Sequence, residues 1–271
     1  MPRFKLTIEY AGTRYSGWQI QKNARTVQGE LDRAVRTVTG RKDFELYGSG
    51  RTDAGVHALA QVAHLDVSSS LPPDSLRRRI NDELPADINV LSAEIVPHRF
   101  HARHDAVARA YLYQIALRRT AFAKPYVWWV KTPLDLDRMR AAARAFVGLR
   151  DFQSFAHSIL PRAGTTSRAD DEGDASALVL VERLDIVEAD GLVLVGVEGS
   201  HFLWKMVRRM VGVLVEIGRG GLEPADAAKF LTESSSAPAR LTAPPSGLFL
   251  DRVYYTGDPR STSLRAATPL R

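Results

Sequence analysis

"RFKLTIEY", residues 3–10, places Phe4, Leu6, Ile8 and Tyr10 at alternate positions. That two-residue period predicts a strand with one face buried. The next regular stretch, "TVQGELDRAVRTVTG" (26–40), carries Val27, Leu31, Ala34, Val35 and Val38 on one helical stripe, with Thr26 as N-cap and Gly40 as stop. "DFELYG" (43–48) and "AQVAHLDV" (60–67) read as strands, "PDSLRRRINDEL" (73–84) as a helix, and "DINVLSAEIV" (87–96) as a strand. The order β-α-β-β-α-β is the ferredoxin-like arrangement.

The second half repeats the grammar. "DAVARAYLYQIAL" (105–117) is strand-like, and "DLDRMRAAARAFVG" (135–148) is a helix ending at Gly148. "ALVLVERLDIVEA" and "LVLVGVEG" form a hairpin turning at Asp190–Gly191. "HFLWKMVRRMVGVLVEIGRG" (201–220) reads as one long apolar helix, and "GLFLDRVYY" (247–255) as the closing strand, with a shorter helix in "PADAAKFLTES" between them. The expected fold class is therefore α+β, two ferredoxin-like (RRM-like) halves over residues 1–104 and 105–255. Two segments fall outside the pattern. Residues 157–176, polar, Gly-rich and acidic at their end, read as an inserted surface loop. Residues 256–271 read as a loose C-terminal tail.

The chain has 271 residues, 45% of them apolar, enough for a substantial core. Lys and Arg number 37 against 31 Asp and Glu, a net charge of +6, which favours a polyanionic partner. There is no cysteine, which excludes disulfides, thiolate nucleophiles and cysteine-ligated metal, and fits a reducing cytoplasm. The N-terminal residues lack the apolar run of a signal peptide, and no window of 18 residues is apolar throughout, so no membrane association is expected.

Chemistry concentrates in "GSGRTDAGVH" (48–57). A lone carboxylate, Asp53, stands beside Arg51 among Gly48, Gly50 and Gly55, which can take positive φ and spare room for a ligand. An arginine two residues away holds a carboxylate ionised where the side chains meet. The stretch suits either a catalytic nucleophile or an exposed turn with a surface ion pair. Asp53, His57 and His64, or His98, His101 and His104, lack the converging set a metal site needs, so no metal is expected. Arg99, Arg103, Arg109, Arg118 and Arg119 are interleaved with Phe100, Tyr111 and Tyr113, the mix that grips phosphates and stacks splayed bases. Lys205, Arg208 and Arg209 stand at i, i+3 and i+4 and share a helical face.

"GSGRTDAGVHA" (48–58) resembles the signature of the bacterial tRNA pseudouridine synthase A family. "YAGTRYSGWQIQ" (10–21), "TVQGELDRAV" (26–35), "INDELPADINV" (80–90), "FHARHDAVARAYLYQI" (100–115), "FLWKMVRRMVGVLVEIG" (202–218) and "APPSGLFLDRVYY" (243–255) resemble further blocks of that family, in order. The resemblance implies isomerisation of uridine to pseudouridine at positions 38, 39 and 40 of the tRNA anticodon stem-loop, with neither cofactor nor metal. It implies a homodimer whose subunits are two ferredoxin-like halves with their antiparallel sheets joined around a central basic cleft. The catalytic aspartate falls on Asp53, the active-site arginine on Arg51, and the substrate-stacking tyrosine on Tyr111. The basic residue approaching the aspartate from the C-terminal half falls on Lys205. Arg208 and Arg209 then bind backbone or buttress the cleft, and Arg103 and His57 join the substrate-binding set. Asp53 either attacks C1′ or assists a glycal-type elimination. Ala11, where the family usually has an acid, and the acidic insertion "ADDEGDAS" (169–176) depart from the family pattern and bear on site preference. The rival in class is a non-catalytic RNA-binding protein of two RRM-like modules, from which an ionised carboxylate in the groove would set this chain apart. A more distant rival is a histidine-rich metal hydrolase.

Overall fold

A computed structural model describes residues 1–156, 176–261 and 263–270. The chain folds as mixed α+β around one large, mostly antiparallel open sheet. Its strands are β1 (Arg3–Tyr10), β2 (Glu45–Gly48), β3 (His57–Asp66), β4 (Ile88–Val96), β5 (Ala106–Ala116), β6 (Trp128–Trp129), β7 (Gly148–Asp151), β8 (Leu178–Ala189), β9 (Leu192–Gly199) and β10 (Leu248–Tyr255). Across the sheet they run β4-β1-β3-β10-β5-β9-β8-β7, with β2 beside β3 and β6 beside β5.

The helices follow their sequence signals. α1 (Val27–Thr39) begins at Thr26, whose hydroxyl accepts the Gly29 N–H at 3.2 Å, and ends at Gly40, whose φ of 67° suits glycine. α2 (Pro73–Glu83) joins α1 over β1 and β3, where Leu31, Val35, Leu76 and Ile80 meet the alternate strand residues Phe4, Leu6 and Ile8. α3 (Leu136–Ala143) and α4 (Met206–Gly218) cover β5, β8 and β9 through a second core that includes Met139, Met210, Leu214, Val193 and Val195. α5 (Pro224–Thr232) and α6 (Ala237–Arg240) complete the helical layer. The β8–β9 hairpin turns at Asp190 and Gly191, both at positive φ (56° and 73°), as the sequence predicts.

Three expectations need correction or limit. The helix expected over 201–220 starts only at Met206, because Lys205 adopts the left-handed conformation (φ 61°) and breaks the run. The tail expected to be loose is docked. Leu264 packs beside Gly196, the Ala267 N–H donates to Gln114 Oε1 at 2.7 Å, and the Leu270 N–H donates to the Asp190 carbonyl at 2.8 Å. Its apolar residues cover Leu192 and Leu194, so every residue of β9 is buried. The insertion expected at 157–176 lies, apart from Ser176, outside the described residues.

Candidate active site

One edge of β3 is shared. β2 pairs with its residues 63–66 and β10 with His57 and Ala58, so residues 49–56 leave the sheet at a fork. Backbone and side-chain bonds hold this loop on both flanks. Ser49 N–H donates to the Val62 carbonyl at 2.7 Å, and Gln61 Nε2 to the Gly50 carbonyl at 3.0 Å. Tyr10 and Thr52 share a buried hydroxyl pair at 2.8 Å, and Trp18 N–H donates to the Thr52 carbonyl at 3.1 Å.

The glycines do less for a ligand than the sequence suggests. A Cβ on Gly48 would stand 2.6 Å from the buried Trp18 ring, and one on Gly55 (φ 79°) 2.9 Å from Pro245. Those two are small because the protein packs against them, and open space surrounds only Gly50 of the three.

The loop delivers Asp53 to the floor of a cleft of about 960 Å³. Its two carboxylate oxygens have different partners. Oδ2 accepts from Arg208 Nη1 at 3.0 Å, and Oδ1 accepts from the indole N–H of Trp204 at 2.8 Å. Arg208 is itself anchored, its Nε donating to the Ala243 carbonyl at 2.8 Å. The cation bonded to the aspartate from the C-terminal half is therefore Arg208, where the family resemblance pointed to Lys205. The Lys205 ammonium lies over the Trp204 ring instead, 4.3 Å from its centroid. Both consequences follow from the turn at Lys205, which carries it out of helical phase with Arg208.

The remaining expected residues divide. Arg51, Arg103 and Tyr111 line the same cleft, Arg51 exposed and Arg103 half-buried. Tyr111 sits on β5 opposite Leu250 of β10, edge-on to Phe202 with centroids 5.2 Å apart. Burial pushes its hydroxyl pKa up to about 12; the nearby Arg109 opposes that shift and Asp53 adds to it. Arg209 is directed away from the cleft: it is buried and donates to the Ala156 carbonyl. His57 does not line the cleft either. It is buried beneath the loop, stacked on Phe249, with Nδ1 accepting the Gly12 N–H and Nε2 bonded to the Pro125 carbonyl. Its role there is to brace the fork. Among the described residues no group of three or more His, Asp or Glu side chains is placed to hold a metal ion.

Two residues of the site carry no distinct mark in the sequence. Trp204 stands out there only as a neighbour of Lys205. Arg109 counts among the basic residues, yet its work is architectural: its guanidinium donates to the carbonyls of Ser49 (3.1 Å), Arg103 (2.9 Å) and Ser200 (2.8 Å). It thereby ties three cleft-lining segments together, and burial lowers its pKa. Arg51, Arg103, Arg109, Lys205 and Arg208 face the cleft against a single acid, Asp53, among the described residues. Five cations around one carboxylate suit a polyanion whose reacting atom must approach that carboxylate.

The comparisons with known proteins agree with this chemistry. A family model described as tRNA pseudouridine synthase matches residues 6–105 and 142–256. Curated relatives named tRNA pseudouridine synthase A include that of Nitrobacter hamburgensis, 42% identical over 94% of this chain and 100% of its own length. Those of Bradyrhizobium diazoefficiens and Geobacter sp. are each 40% identical over 94% of this chain, covering 100% and 99% of their own lengths. The chain belongs to the tRNA pseudouridine synthase family.

Proposed function

We propose that this chain isomerises uridine to pseudouridine in tRNA, at positions 38, 39 and 40 of the anticodon stem-loop, with Asp53 as the catalytic carboxylate. The observation that carries the reading is the Asp53 carboxylate, held by Arg208 and Trp204 in a cleft whose other described charged residues are all cations. The reaction breaks the N1–C1′ bond, turns the uracil and joins C5 to C1′. No atom is gained or lost apart from exchange of the C5 proton, so a single carboxylate with its positioning groups suffices.

In this reading the target nucleotide is extruded from the stem-loop, because C1′ is otherwise out of reach. Tyr111 stacks on the uracil. Arg208 pairs with Asp53 and aims it, while Arg51, Arg103 and Lys205 meet phosphate. Asp53 then attacks C1′ or assists a glycal-type elimination. Two ferredoxin-like halves, residues 1–104 and 105–255, build the cleft between them. This is supported by the strand orders β4-β1-β3-β2 and β10-β5-β9-β8, which place equivalent strands alike. The active form is a homodimer, as the resemblance implies, and it acts in the cytoplasm, which the cysteine-free composition fits.

Tritium release from tRNA labelled at uridine C5 tests the reading. The wild-type chain is expected to release tritium, and Asp53→Asn to release none while binding tRNA within a few-fold of wild type. Release by the variant near the wild-type rate removes Asp53 from the mechanism. Binding without release by the wild type favours the non-catalytic RNA-binding alternative.

A further inference from the structure

Trp204 is 52% exposed in a cleft where its neighbours in sequence are not. Phe202, Leu203, Met206 and Val207 all pack into the core, and Trp204 does not. Burial of apolar surface therefore does not explain its position. Two contacts in the cleft bear on it: its N–H points at Asp53 Oδ1, and the Lys205 ammonium covers its ring. The backbone maintains this at some expense, since Lys205 holds a left-handed φ of 61° that L-residues disfavour. The same turn directs the indole into the cleft and starts the helix that bears Arg208.

The two donors on Asp53 are unlike. Arg208 is charged, its side chain only 12% exposed, and tied to Ala243 as well. Such charge-assisted bonds are the stronger kind. The indole is neutral and half in water, so its bond costs less to exchange for another. Oδ2 is thus the tethered oxygen and Oδ1 the releasable one.

We propose that Trp204 is a positioning residue for the isomerisation, resting on the function proposed above. Its N–H parks Oδ1 of Asp53 in the resting enzyme, and Oδ1 is the oxygen that reacts. The ring, freed as the nucleotide enters, turns to lie against the extruded base opposite the stacking offered by Tyr111. The ammonium of Lys205 holds the indole in the meantime.

Single-turnover tritium release and equilibrium tRNA binding test this with the full chain and C5-labelled tRNA. Trp204→Phe keeps an aromatic face and loses the N–H. Without the N–H that aims it, the Asp53 carboxylate samples unproductive orientations, so the rate constant is expected to fall about tenfold while tRNA affinity stays within about twofold. Trp204→Ala loses both, so its rate falls at least as far and its affinity weakens as well. Because the side chain is exposed, neither variant is expected to melt at a lower temperature. In fluorescence, the emission lost between wild type and Trp204→Phe is that of Trp204, and saturating tRNA is expected to quench it. Trp204→Phe at the wild-type rate overturns the positioning role, and an unquenched difference spectrum overturns the movement of the ring. A wild-type chain with no tritium release overturns the proposed function and this inference with it. An active wild type beside an unimpaired Trp204→Phe overturns this inference alone.

Discussion

Arg208 and Asp53 meet at 3.0 Å although 155 residues separate them. One comes from the loop at the β3 fork and the other from the first turn of α4, so the ion pair forms only when both parts of the sheet are in place. Arg208→Ala leaves the carboxylate without its charged donor and is expected to lower the single-turnover rate about 10- to 100-fold, with a smaller effect on tRNA affinity. Lys205→Ala, which removes no bond to Asp53, is expected to do less to the rate. A larger loss from Lys205→Ala than from Arg208→Ala would return the primary role to Lys205.

The hydroxyl of Tyr111 titrates near 12, so it stays protonated throughout the physiological range and serves as a neutral group there. Tyr111→Phe keeps the stacking face and is expected to cost at most about fivefold in rate. Tyr111→Ala removes a stacking surface worth about 1–3 kcal/mol per base and is expected to be severe. A severe loss in Tyr111→Phe would assign the hydroxyl to proton transfer.

Phosphate contacts release counterions, so tRNA affinity is expected to fall steeply with salt. Arg51→Ala and Arg103→Ala are each expected to reduce the slope of log affinity against log salt by about one. Arg209→Ala and His57→Asn, which alter residues outside the cleft, are expected to leave the slope alone while lowering the melting temperature. A flat salt response in the wild type would remove the basic cleft from the account of binding.

His64 is buried on β3, and its Nδ1 accepts the Ala102 N–H at 3.1 Å. Burial, and after it Arg3 and His101, lowers its pKa from 6.5 to about 4. The unfolded chain therefore takes a proton below pH 6.5 that the native state refuses until about pH 4, and stability falls as pH drops through that window. Every tenfold weakening of proton affinity on folding costs about 1.4 kcal/mol once the unfolded chain is protonated, so the loss from this residue approaches about 3 kcal/mol. Denaturant melts at pH 7.5 and 4.5 measure it, and His64→Gln is expected to flatten the difference. An unchanged pH dependence in His64→Gln would place the acid sensitivity elsewhere.

Much of this was legible in local pattern. The alternation of Phe4, Leu6 and Ile8, the Thr26 cap and the Asp190–Gly191 turn are decided by neighbours in sequence, and each stands where the sequence puts it. What local pattern could not carry was phase and partnership. Arg208 and Lys205 exchange roles because one residue, Lys205, leaves the helical conformation. That turn has no compositional mark in a run of apolar and basic residues. His57 was expected among the substrate contacts and is a buried brace, and of the two roles open to Arg209, binding backbone or buttressing, its burial against the Ala156 carbonyl fits the second. The tail of residues 256–271 looked loose because its apolar residues are sparse, yet Leu264 and Leu270 find a surface that only the assembled sheet provides. The position of β10 between β3 and β5 is likewise a product of long-range pairing.

That placement bears on when the enzyme becomes competent. A chain emerging from the ribosome can pair β1, β3 and β4 early, but β10, which bridges the first 100 residues to the rest, is made after every other strand of the sheet. Until residue 255 is free, the wall carrying Arg208 has no fixed distance from the loop carrying Asp53. Chains that lack β10 therefore lack the strand that joins β3 to β5 and sets the two walls of the cleft against each other.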